Sequence, residues 1–340
     1  MIYVVLFFLA FSLLLYVLLA GADFGAGIVE LFSSKKNQAI TKKTIYRVMG
    51  PVWEANHIWI IIMIVILWVA FPAYYNILVV SLHIPLTLML LGITLRGVAF
   101  VFRHYDAYID NSQILYDWMF KTASLVTPIF LGITFGAIIS GEIIHTTSVT
   151  DYSFKALYID SWLHPFSMLT GFFFAALCAF LSAVLLIGEA DAINRKVYVK
   201  KATIATIAVV LIGFITILYG YYTEVLFVVD FIHNPYAIIA ITLSAILLIP
   251  LWTSIRRGRR ILSRIFAGSQ VLLILIAAMV PHYPAILFTT EGGISILENK
   301  APDSVIQVLG ISLIIGGSVI LPGLFHLLKS FKMIKILERT

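Results

Sequence analysis

The chain contains uncharged apolar runs too long for a soluble fold to hide. Met1–Ala22, Ile58–Ala70 and Ile204–Ile217 carry no charged residue, and a bilayer core of about 30 Å is crossed by roughly 20 apolar residues in a helix. Of the 340 residues, 61% are hydrophobic and 12% charged, against about 25% charged in an ordinary soluble domain. Lipid must therefore be the solvent. Within it every backbone amide has to be paired, which leaves helices or a closed barrel. Continuous apolarity, without strict alternation, selects helices. The expected fold class is an all-α integral membrane protein.

Apolar segments bounded by charge or turn residues fall at 2–32, 52–72, 77–102, 118–143, 161–190, 202–222, 236–255, 261–283 and 305–328, which predicts nine transmembrane helices. All but three of the 23 Lys and Arg residues, the exceptions being Arg96, Lys155 and Lys300, fall in or beside alternate inter-helix loops and the C-terminal tail. By the positive-inside rule those loops are cytoplasmic, so the N-terminus is outside and the C-terminus inside. Met1–Phe11 has no basic leader and reads as part of a retained first helix. Residues 1–340 form a single polytopic membrane domain. Ala22-Asp23-Phe24 in the first helix and Glu189-Ala190-Asp191 at the end of the fifth each precede a basic loop. That short similarity suggests repeat units 1–143 and 161–283 followed by a ninth helix at 305–328.

Several function classes drop out. A single cysteine, Cys178, builds no disulfide framework, zinc cluster or c-type haem attachment. The net charge of +6 is explained by membrane orientation, so no nucleic-acid partner is expected. No phosphate-binding glycine loop, metalloprotease motif or nucleophile triad is found. No metal site is expected. The histidines His83, His164, His282 and His326 sit near helix ends or at unmatched depths, a poor pattern for axial haem ligands. They read as hydrated helix-end residues.

Ionisable residues in a span cost about 2.5–3.5 kcal/mol each at the bilayer centre on insertion scales, so each needs a partner or a purpose. Asp23 lies in Gly21-Ala22-Asp23-Phe24-Gly25-Ala26-Gly27, whose small residues let another helix approach. Glu54 and His57 lie in Gly50-Pro51-Val52-Trp53-Glu54-Ala55-Asn56-His57-Ile58-Trp59, with Pro51 suited to open a helix. Arg96 lies two helical turns, about 10 Å, from Arg103. Asp23, Glu54 and His57 are the candidate proton pathway, because such groups exchange protons in a buried wet channel. The structural alternative is an ion pair of Arg96 with Glu54 or Asp23 that fixes helix register. Trp53 and Trp59 fit either a quinone ring or the interfacial aromatic belt.

Three of these segments together resemble subunit II of cytochrome bd-type quinol oxidases: Gly21–Gly27, Gly50–Trp59 and Leu95-Arg96-Gly97-Val98-Ala99-Phe100-Val101-Phe102-Arg103. Tyr116-Asp117-Trp118 and Pro281-His282-Tyr283-Pro284 add to the match. The resemblance implies two four-helix bundles plus a peripheral ninth helix. It also implies a larger partner, subunit I, that carries haems b and d and oxidises quinol, so that no haem is bound by this chain alone. The second subunit stabilises that partner, and Glu54 matches an acidic position on the family's suggested proton route. Arg96, Arg103 and Asp117 would be buried structural charges. Membrane lipid, a bound quinone and a small single-helix accessory subunit are further candidate components. Two positions depart from the pattern: Ala20 and Val101 stand where relatives often carry carboxylates. The rival reading is a proton-coupled secondary transporter, whose repeats usually contain broken helices at mid-membrane. Here Gly316-Gly317 is the clearest central interruption.

Overall fold

The computed structural model describes residues 1–50, 53–105, 111–146, 151–189, 194–298 and 300–330. Pro51, Asp191 and the basic residues Lys332, Lys335 and Arg339 lie outside the described residues. Among the described residues, nine helices are long and apolar enough to cross a membrane. They are α1 (Ile2–Leu31), α2 (Trp53–Ala70), α3 (His83–Tyr105), α4 (Ser112–Ser140), α5 (Pro165–Glu189), α6 (Arg195–Tyr222), α7 (Pro235–Arg256), α8 (Arg260–Met279) and α9 (Asp303–Ser330).

Local chemistry explains where they stop. α2 ends at Phe71, and Pro72 opens a separate short helix, Pro72–Ser81, because proline fits the first helical position. The third span thus begins at His83 and not at 77. α4 ends on Gly141 in the left-handed region, φ 85°, where glycine meets no Cβ penalty. Asn234 caps α7 by accepting from the Tyr236 and Ala237 amides. α6 starts seven residues before the apolar run at 202, since Arg195, Lys196, Lys200 and Lys201 form its first turns.

α1 to α4 make one group and α5 to α8 a second, with similar pairing except that α6 also touches α7. α1 packs on α2 and α4, and α3 on α4; correspondingly α5 packs on α6 and α8, and α7 on α8. The groups meet where α5 seats against α1 and α4. α9 touches α1 and α2 from outside, and it runs without a break through Gly316 and Gly317. The central contact depends on glycine: a Cβ on Gly25 would lie 1.8 Å from the Cys178 carbonyl oxygen, and one on Gly132 would lie 2.6 Å from that of Thr170.

At the basic end, Lys35–Met49 forms a further helix between α1 and α2. At the opposite end the expected loop after α8 contains a small antiparallel hairpin, β1 (Ala285–Thr289) with β2 (Gly292–Ser295). His282 seats it. The ring is 4% exposed, lies parallel to Phe227 with centroids 3.9 Å apart, and meets Phe288 edge-on. This replaces the hydrated helix-end environment expected for His282: hairpin and short helix Leu226–His233 close over it.

Candidate functional site

Two ion pairs lie inside the first helix group, in matching register. Asp23 and Glu30 are seven residues apart on α1, and Arg96 and Arg103 are seven apart on α3. Two turns of helix, about 10 Å, separate one pair from the other. In the first, Arg96 Nη1 is 2.7 Å from Asp23 Oδ2, while Nη2 donates to Asp23 Oδ1 at 2.8 Å and to the Asp23 carbonyl at 3.0 Å. Arg96 Nε donates to Ser124 Oγ of α4 at 3.0 Å. A Cβ on Gly27 would come within 2.2 Å of that hydroxyl, so glycine there lets α4 close on the pair. The side chains of Arg96 and Asp23 are 1% and 0% exposed. Such a charge pair persists in a membrane interior because the guanidinium fork faces both carboxylate oxygens.

The second pair sits nearer the basic loops. Arg103 Nη2 donates to Glu30 Oε1 at 2.5 Å, and Arg103 Nε lies 2.8 Å from Asp117 Oδ1. Lys42 also holds Asp117, at 2.7 Å, and Lys121 Nζ is 4.0 Å from Glu30. Phe120 stands between the pairs, its ring 5.1 Å from the Arg96 guanidinium and 4.7 Å from that of Arg103. Cation–π attraction from one ring thus serves both arginines. Lys201 of α6 donates to Ser33 Oγ at 2.6 Å and Thr41 Oγ1 at 2.7 Å, tying the second group to the same end.

The residues singled out in the sequence are distributed as follows. Asp23 pairs with Arg96; of the two carboxylates weighed for that arginine, Glu54 is exposed. His57 lies beside the pair, its ring 5.5 Å from Phe24 and 6.2 Å from Tyr16. Trp53 is half-buried against Phe100, 5.6 Å between rings, and abuts Gly97. Trp59 is 3% exposed and meets Phe11 edge-on. Glu30 was missed by sequence reasoning, although its seven-residue spacing from Asp23, repeated between Arg96 and Arg103, was visible there.

His282 has no ring nitrogen left for an axial iron. Axial ligation needs a free imidazole nitrogen facing the iron. In His282, Nδ1 and Nε2 face the Ala278 and Phe227 carbonyls at 2.9 and 3.0 Å. His164 Nε2 lies 2.7 Å from Ser167 Oγ, and His83 Nδ1 lies 2.9 Å from the Val80 carbonyl.

A cavity of about 1340 Å³, almost wholly apolar, opens among the helices, with Tyr16, Phe135, Phe174, Phe214 and Gln270 in its walls.

Nine apolar helices among the described residues, with ion pairs buried between them, define a polytopic helical membrane protein. More narrowly, the chain belongs to the family of cytochrome bd terminal oxidase subunit II, which matches residues 1–331. It is 28% identical over 160 residues to cytochrome bd ubiquinol oxidase subunit 2 of Bacillus subtilis, covering 47% of this chain and 45% of that protein. To cytochrome bd-I ubiquinol oxidase subunit 2 of Escherichia coli K12 it is 24% identical over 156 residues, covering 44% and 39%. The matched stretch thus spans less than half the length of these curated relatives. Its fold is similar to a chain in the structure of bd oxidase from Geobacillus thermodenitrificans, with TM-score 0.77, 19% identity and coverage of 98% of this chain and 99% of that one.

Proposed function

We propose that this chain is the non-haem subunit of a bacterial quinol:oxygen oxidoreductase, stabilising a haem-bearing subunit I and delivering protons from the cytoplasm toward the site of oxygen reduction. Family membership supports the complex. The basic loops support a position in the cytoplasmic membrane with the N-terminus outside. Haems b and d and the quinol-oxidising site are assigned to the partner on the family membership, and both ring nitrogens of His282 are engaged within this chain. Haem supplies the electron transfer and oxygen chemistry of such a complex.

One observation carries the proton reading: a file of ionisable groups runs inward from the basic end. Glu54 is exposed where α2 begins, His57 stands one turn further along α2, and Asp23 lies fully buried beyond it. Arg96 holds the Asp23 carboxylate in place. In this reading Glu54 collects protons, His57 relays them, and Asp23 is the buried acceptor.

The test uses the assembled oxidase in vesicles, comparing Asp23→Asn and Glu54→Gln with the native complex. The expected result is oxidase turnover and proton uptake reduced about tenfold or more, with the haem spectrum retained; tenfold corresponds to about 1.4 kcal/mol of barrier. Unchanged turnover and assembly in both variants would remove proton delivery and leave a stabilising subunit. Pull-down of the tagged chain from its native membrane, with a reduced-minus-oxidised spectrum, tests the partner: a larger subunit with b- and d-haem bands is expected. A colourless chain purified alone would return the transporter reading.

A further inference from the structure

Just before Asp23, α1 leaves the α-helical pattern: Tyr16–Ala20 is a π-helical turn. Such a turn inserts a residue, changes the rotation of the side chains on either side of it, and recurs at functional positions. Around it lies a group of buried polar atoms that the protein itself does not satisfy. Ser12 is 0% exposed, Tyr16 2% and Trp59 3%, yet Ser12 Oγ, Tyr16 Oη and Trp59 Nε1, together with His57 Nδ1, have no hydrogen-bond partner in the protein. Tyr16 and Trp59 belong to one buried cluster with Phe24, and Phe11 packs on it. The Tyr16 and His57 rings are 6.2 Å apart. Phe24, next to Asp23 in the chain, has its ring 5.5 Å from His57 and 5.3 Å from the Arg96 guanidinium, so the polar group lies beside the ion pair.

Other hydroxyls in the spans solve the same problem locally. Thr127, Thr134, Thr170, Thr206 and Thr216 each donate to the carbonyl four residues back. Ser12 does not, although its helix offers the same carbonyl. Buried polar atoms in folded proteins are bonded either to protein or to ordered water, and one buried water commonly serves about three such groups.

We propose that α1 and α2 enclose an internal hydration site beside the Asp23–Arg96 pair, in which water accepts from Tyr16 Oη and bonds His57 Nδ1, and extends to Ser12 Oγ and Trp59 Nε1. Water held there is independent of proton traffic through Asp23, since it is required by the polar atoms whether or not a proton moves.

Radiolytic hydroxyl-radical footprinting of the intact complex tests this with water as the probe, because radicals formed from bound water oxidise the side chains next to it. Trp162 is the control: it is 7% exposed, and its Nε1 already donates to the Tyr158 carbonyl at 2.8 Å. Tyr16 and Trp59 should oxidise severalfold faster than Trp162, and Tyr16→Phe should lower the Trp59 rate. Oxidation of Tyr16 and Trp59 no faster than Trp162, or a Trp59 rate indifferent to Tyr16→Phe, overturns the site. Should Tyr16→Phe not assemble, the comparison within the native complex decides. Turnover of Asp23→Asn is read separately, so loss of proton delivery and loss of the hydration site are distinguishable outcomes.

Discussion

Arg96 and Asp23 each cost more alone than together. Arg96→Leu leaves the Asp23 carboxylate buried without its cation, and breaking a buried pair from one side typically costs about 3–5 kcal/mol. Replacing both with apolar residues removes the stranded charge. The expected order of thermal stability of the detergent-purified complex is therefore native, then Asp23→Leu/Arg96→Leu, then Arg96→Leu. Equal melting of the single and double variants would mean that the two side chains are not coupled. At the opposite end of the molecule His164 gives a pH effect. Burial pushes its imidazole down to about 4 from the ordinary 6.5, and its Nε2 lies 2.7 Å from Ser167 Oγ at the start of α5. The unfolded chain takes up a proton there at higher pH than the folded one, so stability falls as pH drops from about 6.5 toward 4. Melting temperature followed over that window should slope less in His164→Gln, by a modest amount because the ring is partly solvated.

Contacts between helices in this fold are set by glycine more than by charge. Gly25 seats α1 on the α5 backbone at Cys178, where a Cβ would lie 1.8 Å from the carbonyl oxygen. Gly25→Ala must push the two helix groups apart; overpacking typically costs about 1–3 kcal/mol, occasionally more. Gly268→Ala, where a Cβ meets nothing within 4 Å, should instead be neutral or stabilising by up to about 1 kcal/mol through helix propensity. Yield and melting temperature of the purified complex check both, and equal behaviour of the two variants would contradict the packing described. The small-residue run 21–27 shows in the sequence that some helix comes close. It does not show which one, because α5 approaches from 150 residues away. The nine spans were legible for a simple reason: lipid demands apolarity over a fixed length. Their edges were not, since Arg195 and Lys196 sit in helical turns that hydropathy assigns to a loop, and the hairpin strands of five and four residues are too short to show alternation. Asp23 and Arg96 stood out as charges among apolar neighbours. Glu30, close to the basic loop, did not stand out until Arg103 was found against it.

At the scale of the whole molecule, two helix groups meet across α5, while the basic residues gather at one end and the hairpin closes the other. Charge asymmetry of this kind sets topology during insertion. The chain is well suited to a labelling test of that topology, because Cys178 is 1% exposed and free and so should be silent to thiol reagents. Single cysteines at Glu142 and Glu291 report the hairpin end, and at Lys43 and Arg257 the basic end; all four native side chains are exposed. In intact spheroplasts a membrane-impermeant maleimide should label Glu142→Cys and Glu291→Cys, with Lys43→Cys and Arg257→Cys reacting only after lysis. The reverse pattern would put Glu54 on the outer face, far from any cytoplasmic proton supply, and the file from Glu54 through His57 to Asp23 would then have to work as an exit. Orientation therefore decides the direction of any proton movement through this subunit, which the buried pairs by themselves leave symmetric.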